Sequence, residues 1–193
     1  MSGGSGSVAA EPLTGWKSVF DIPDNKLGFM YSFRWIPEKP DHGKLYMNLS
    51  YAVTDYLRLG VDYRPLTDDV SPLINLRVFP EKQDSWRPAL ILGMSNDDFG
   101  DINSDAYFGT FSKHIGNVAG IDFSPYVGAT YIAELEEIRP VGGLHARHGR
   151  FSAMFQYSGV DEHASLSYSL GNHTLTFIMF NLKLPGVAYN IKF

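Results

Sequence analysis

Apolar and polar residues alternate one by one along most of the chain, and helical spacing of apolar positions is almost absent. Leu27, Phe29, Tyr31, Phe33 and Trp35 are apolar, with Gly28, Ser32 and Arg34 between them. The same alternation carries Leu45–Ala52, Tyr56–Tyr63, Ile74–Val78, Phe151–Tyr157 and Ala164–Leu170. A period of two places successive side chains on opposite faces of a strand, so each of these segments is predicted as β. Weaker patterns predict strands over Arg87–Ser95, Ala106–Lys113, Ile121–Tyr131, Arg139–Arg147, Thr174–Asn181 and Val187–Phe193. Pro125 inside the third of these has no N–H for a ladder, so it is expected at a strand start or a bulge. The total is about twelve strands (ten is the alternative count) over roughly half the chain, against about 20–25% strand in ordinary globular proteins. That excess points to a barrel or a sandwich.

The connections give a second pattern. Of the five alternate links, three are tight turns, at Thr54-Asp55, His148-Gly149 and Gly171-Asn172, and two are longer, at Pro80–Trp86 and His114–Gly120. The intervening links read as longer and mostly acidic, Asn96–Asp105 being the longest. Short turns at one end and longer loops at the other are the pattern of outer-membrane barrels. The two strand faces agree. One is aromatic-rich, with Phe29, Tyr31, Trp35, Tyr51, Tyr63, Phe151, Tyr157 and Tyr168 near strand ends. The other is small and polar, with Ser32, Asn48, Ser50, Gly60, Ser165 and Ser167. Aromatic belts facing lipid, around a polar lumen, account for both. The expected fold is an all-β, antiparallel, up-and-down transmembrane β-barrel spanning residues 26–193. Residues 1–25 are read as a leader able to plug the lumen or cover its periplasmic mouth. Met1–Ser7 is Gly/Ser-rich and has neither the basic nor the apolar region of a signal peptide. A soluble barrel or sandwich binding an apolar ligand is the alternative.

Composition narrows the chemistry. The 193 residues include no Cys, which removes disulfides, thiolate metal sites and cysteine nucleophiles. A net charge of −5 argues against nucleic-acid binding, which needs a basic face to neutralise phosphates. At 44% hydrophobic and 19% charged, the chain is too apolar for disorder. No apolar run is long enough for a membrane helix, and the stretch from His163 to Leu182 is interrupted by serines, threonines and glycine. No cofactor or metal is expected.

Val187, Tyr189, Ile191 and Phe193 alternate with Ala188, Asn190 and Lys192 at the end of the sequence. This resembles the C-terminal β-signal of Gram-negative outer-membrane proteins. The resemblance implies a bacterial outer membrane, with its lipid and the barrel assembly machinery as partners, and envelope proteins as further candidates. Thr14-Gly15, Ile22-Pro23, Tyr157-Ser158-Gly159 and Leu166-Ser167-Tyr168 resemble elements of YjbH-like barrels linked to exopolysaccharide production; no residue roles are carried over.

Four groups of residues are candidates for chemistry. Arg34, Arg58, Asp62 and Arg77 fall on the presumed lumen face, where they would form an ion-pair network or a constriction selecting small anionic or zwitterionic solutes. Asp97, Asp98, Asp101, Asn103 and Asp105 offer hard oxygen donors to Ca²⁺, although no EF-hand spacing is present. His163-Ala164-Ser165 resembles the His-x-Ser of outer-membrane phospholipase A, which implies a lipid hydrolase, but the Asn-Gly that follows in that family is Leu166-Ser167 in this chain. His145 and His148 sit near a tight turn, where a polar turn competes with a metal site. The leading expectation is a non-enzymatic passive channel for small solutes or a structural envelope component.

Overall fold

The computed structural model describes residues 28–81, 85–99 and 102–193. Thirteen strands follow one another in these: β1 (Phe29–Trp35), β2 (Leu45–Ala52), β3 (Leu57–Arg64), β4 (Asp69–Phe79), β5 (Ala89–Phe99), β6 (Ile102–Ser112), β7 (Gly116–Val118), β8 (Ile121–Ile132), β9 (Glu137–His148), β10 (Phe151–Tyr157), β11 (Glu162–Leu170), β12 (His173–Phe180) and β13 (Leu184–Lys192). Twelve of them form a closed, antiparallel, up-and-down barrel. It is sealed by β1 against β13, from Met30↔Lys192 to Trp35↔Val187, and by β6 against β8, from Ala106↔Ile132 to Ser112↔Tyr126. The three-residue β7 pairs only with β8 and forms a small hairpin outside the twelve.

Alternation sets the faces as expected. Ser32, Asn48, Ser50, Arg58, Asp62, Ser167, Thr176 and Asn190 are buried towards the lumen. Their neighbours Leu49, Leu59, Leu166, Leu175 and Phe177 point outward and are exposed, Leu175 to 60%. A barrel therefore forms whose outside is apolar and whose inside is polar. Single buried apolar residues such as Met30, Leu73, Ile91 and Val141 are interspersed along the interior, and two small apolar clusters form at one end. Ile36, Ile178, Phe180 and Ala188 form one, and Phe99, Ala106 and Ile132 form the other. We call this end distal; the opposite, proximal end carries Phe29, Phe193 and the turns at 149–150 and 171–172.

Glycine permits the tight inner wall at two positions. A Cβ on Gly93 would meet the ring of Phe108, its cross-strand neighbour, and one on Gly143 would meet the Phe155 carbonyl and the ring of Tyr126, its own neighbour. Each aromatic ring thus lies across a glycine on the inner surface, an arrangement that lets strands curve without leaving a void. Pro125 lies inside β8, opposite Leu144 of β9. Its carbonyl accepts from the N–H of Lys113, just past the end of β6. N–H and C=O of one strand residue point the same way, so the missing donor faces the place where the β6 ladder stops.

The expected asymmetry of the connections is not found. Strands run further at the distal end than alternation indicates, so the links at 65–68, 100–101, 133–136, 158–161 and 181–183 are all short. The one long distal link, 36–44, contains the single-turn helix Asp41–Lys44, whereas the proximal end holds the 80–88 link and the β7 hairpin. The stretch read as the longest loop, Asn96–Asp105, is a continuation of the β5–β6 hairpin, with Asn96↔Asp105, Asp97↔Ser104 and Asp98↔Asn103 in register. The leader and plug expected in residues 1–25 lie outside the described residues.

Candidate functional site: the lumen and its distal chamber

The wall of β1–β3 lines one side of the lumen with charge. On β3, Arg58, Asp62 and Arg64 recur on the inward face and all three are fully buried. Asp62 accepts a 2.5 Å hydrogen bond from Asn48 Nδ2 on β2. Arg58 lies against the sulfur of Met30, at 3.8 Å. Arg64 pairs with Asp69 at 3.7 Å and donates through Nη2 to the Asn96 carbonyl at 2.9 Å. Buried charges need such partners, because desolvation otherwise opposes folding by several kcal/mol.

The second contributor crosses the barrel. Asp97 on β5 pairs with Arg34 on β1 at 3.8 Å, although β2, β3 and β4 stand between these strands in the sheet. The contact is possible because the ladder between β4 and β5 stops at Ile74↔Met94. Beyond it the β5–β6 hairpin leaves the wall and leans over the distal mouth. Asn103 of that hairpin donates to Asp69 at 3.1 Å, and the N–H of Glu134 donates to Ser104 Oγ at 3.0 Å. The guanidinium groups of Arg34 and Arg64 lie over the Tyr46 ring, at 4.8 and 5.3 Å from its centroid. From the opposite side, the 36–44 link turns inward. It seats Ile36 on Phe180 and Ala188, and holds Lys39 Nζ 3.5 Å from the centre of the Phe180 ring.

Between these two closures is a chamber of about 110 Å³. Its ionic side is Arg34 and Asp97, its polar side includes Ser32, Asn96, Gln156, Ser165 and Asn190, and its apolar side is Met154, Ile178, Phe180 and Ala188.

The four lumen charges expected from sequence all lie on inward positions, Arg77 opposite the buried Ile91. The contacts described above join them to other residues: Arg34 to Asp97, Asp62 to Asn48, and Arg58 to Met30. Sequence reasoning misses Arg64, although it continues the alternation of Arg58 and Asp62. In the calcium grouping, the described side chains of Asp97, Asn103 and Asp105 have other partners. Asp97 meets Arg34, Asp105 accepts from Asn96 Nδ2 at 3.0 Å, and Asn103 serves Asp69. Asp101 lies outside the described residues. Among the described residues, no three His, Asp or Glu side chains converge on a metal position. His145 is buried towards the lumen, whereas His148 is exposed at the β9–β10 turn and its Nδ1 lies 2.9 Å from the Gly120 carbonyl.

His163 and Ser165 share the inward face, as their spacing requires. The imidazole of His163 has a structural role. Its Nδ1 accepts the Asn181 N–H at 3.1 Å, and the ring lies 4.2 Å from that of Phe180. With Nδ1 accepting, the neutral ring carries its proton on Nε2, which is the wrong tautomer for that nitrogen to act as a base. Along β13, Val187, Tyr189 and Ile191 project outward, and at the proximal end the Phe193 N–H donates to the Phe29 carbonyl at 2.9 Å.

No family model matches the chain, and no curated protein or solved structure matches it.

Proposed function

We propose that this protein is a non-enzymatic, membrane-spanning β-barrel of a bacterial outer membrane, with a narrow polar lumen for small solutes. The observation that carries the reading is the inversion of the two faces. Large apolar side chains are exposed around the barrel, including Val70 at 63%, Ile138 at 73% and Leu175 at 60%. The buried interior is rich in Ser, Thr, Asn, Arg, Asp and His, with apolar side chains such as Leu73, Ile91, Phe108 and Val141 among them. Soluble monomers rarely expose contiguous apolar patches beyond about 300–600 Å². A continuous belt is therefore unfavourable in water and stable in lipid. The outward run on β8 from Phe123 to Tyr131 rises about 20 Å at a tilt near 40°, close to the ~25 Å apolar band of outer-membrane barrels. Outward aromatics near the strand ends fit interfacial belts, with Trp35, Tyr63, Tyr131 and Tyr157 distal and Phe29, Tyr51, Phe151 and Tyr168 proximal. The buried charges of β3 and the Arg34–Asp97 pair disfavour a wholly apolar ligand, and the His163 tautomer counts against hydrolysis. The resemblance of the last residues to a β-signal supports assembly by the outer-membrane machinery.

The closures at the distal mouth make a small, interrupted conductance the expected behaviour, in place of a wide pore. Reconstitution into planar bilayers tests this. Discrete conductance steps well below those of an open porin are expected, rising when Asp97→Asn loosens the hairpin from Arg34. Complete absence of insertion events from a correctly folded, detergent-solubilised sample would overturn the channel reading.

A further inference from the structure

The distal chamber presents opposite charges side by side, with an apolar wall facing them. Arg34 and Asp97 meet at 3.8 Å, at the outer limit of an ion pair, and their side chains keep 18% and 43% of their exposure. Deeper in the chamber, Ser32 Oγ and Asn190 Oδ1 come from directly paired residues of β1 and β13. These residues are 3% and 5% exposed, and among the described residues neither atom has a hydrogen-bond partner. Asn96 Oδ1 is a third such atom, on a side chain 8% exposed. Atoms of this kind recur along the lumen, as at Ser50 Oγ and Thr110 Oγ1, and the three in the chamber offer hydrogen-bonding positions to a polar guest beside the Arg34–Asp97 pair.

We propose that the chamber is a binding subsite for a small zwitterion, an α-amino acid with an apolar side chain. This rests on the reading of the lumen as a solute path. The guest carboxylate takes the Arg34 guanidinium, its ammonium takes Asp97 with Asn190 Oδ1 behind it, and its side chain lies on Ile178, Phe180 and Ala188. A lone anion would meet Asp97, and a lone cation would meet Arg34. An uncharged sugar would leave polar groups against the apolar wall. Specificity of this kind comes as much from the repelled alternatives as from the favoured contacts. Size agrees: at about 10–15 Å³ per water-sized probe, the chamber holds roughly seven to eleven such volumes, close to the non-hydrogen atoms of an aliphatic amino acid.

The test is titration calorimetry of the full-length protein in detergent with L-leucine, N-acetyl-L-leucine, L-leucinamide and ribose. L-leucine is expected to bind saturably and about tenfold or more tightly than the other three. Arg34→Gln should weaken L-leucine by about tenfold, the value of one lost charge-assisted contact. Asp97→Asn should narrow the gap between L-leucine and its N-acetyl form. Ser165→Leu, which fills the chamber without touching either charge, should abolish binding in a protein that still shows β-type circular dichroism. Equal binding of all four solutes, or L-leucine binding untouched by Ser165→Leu, would overturn the proposal. The membrane reading fails separately. A folded protein soluble in plain buffer that binds L-leucine keeps the chamber and loses the membrane; an inserted barrel that binds none of the four does the reverse.

Discussion

Leu166 is the residue at which lipid and water make the most different demands. It is the middle residue of the nine in β11, points outward at 53% exposure, and pairs with Ala153 and Phe177. Four residues separate it from either end of the strand. At about 3.3 Å per residue and a tilt near 40°, that places it about 10 Å from each edge of the apolar belt. In a bilayer, Leu166→Arg therefore sits at the midplane and should destabilise the barrel by about 2–4 kcal/mol. Leu170→Arg, beside the Gly171-Asn172 turn, should lose only about 0–1 kcal/mol because its head group reaches the interface. In a water-soluble barrel both positions are exposed surface, where changes stay within about 0.5 kcal/mol. Urea titration of vesicle-reconstituted protein, followed by tryptophan fluorescence and the gel shift of the folded band, measures both. A mid-strand loss exceeding the strand-end loss by about 2 kcal/mol is expected. Two equal losses below about 0.5 kcal/mol would refute the assignment of the outer face to lipid.

Other substitutions probe the interior and the seam. Gly143→Ala should destabilise by about 1–3 kcal/mol in the same titration, and Tyr126→Ala should not rescue it, because the Phe155 carbonyl still meets the new methyl. His163→Ala should lose about 1 kcal/mol, the worth of its bond to the Asn181 N–H. Ser165→Ala should leave the rate of lipid-ester hydrolysis by the purified protein at background, as in the parent; a drop from a measurable rate would revive the hydrolase reading. Removal of Phe193 deletes one backbone hydrogen bond to Phe29, worth about 1 kcal/mol in vitro, while assembly in bacterial cells should fall far more steeply. Equal effects in both settings would mean that the residue is not read by the assembly machinery.

The wall of the barrel is legible because a strand whose two faces meet different surroundings writes them into the sequence at a fixed period. Six of the twelve barrel strands can be placed from clean alternation and six from weaker patterns, and the same parity puts Arg34, Arg58, Asp62 and Arg77 inside. The distal mouth is not legible. Asn and Asp are depleted in strands, so Asn96–Asp105 reads as a loop, yet its backbone pairs continue as a hairpin. That misreading hides Asp97, whose partner Arg34 lies 63 positions earlier and is reached only because the hairpin leaves the wall. Local alternation carries no information about such a crossing. The β7 hairpin escapes notice for a simpler reason: Gly116–Val118 is too short to establish any period. The closure of the mouth by the 36–44 link depends likewise on packing between Ile36 and residues of β12 and β13.

The central claim is that the apolar outer face is solvated by lipid. Its most direct test is refolding from urea, by dilution either into phosphatidylcholine vesicles or into plain buffer, followed by electrophoresis with and without boiling. The account predicts a compact, heat-modifiable band that floats with the vesicles, and aggregation in plain buffer. A monodisperse protein with β-type circular dichroism in plain buffer, leaving the vesicles empty, would contradict it.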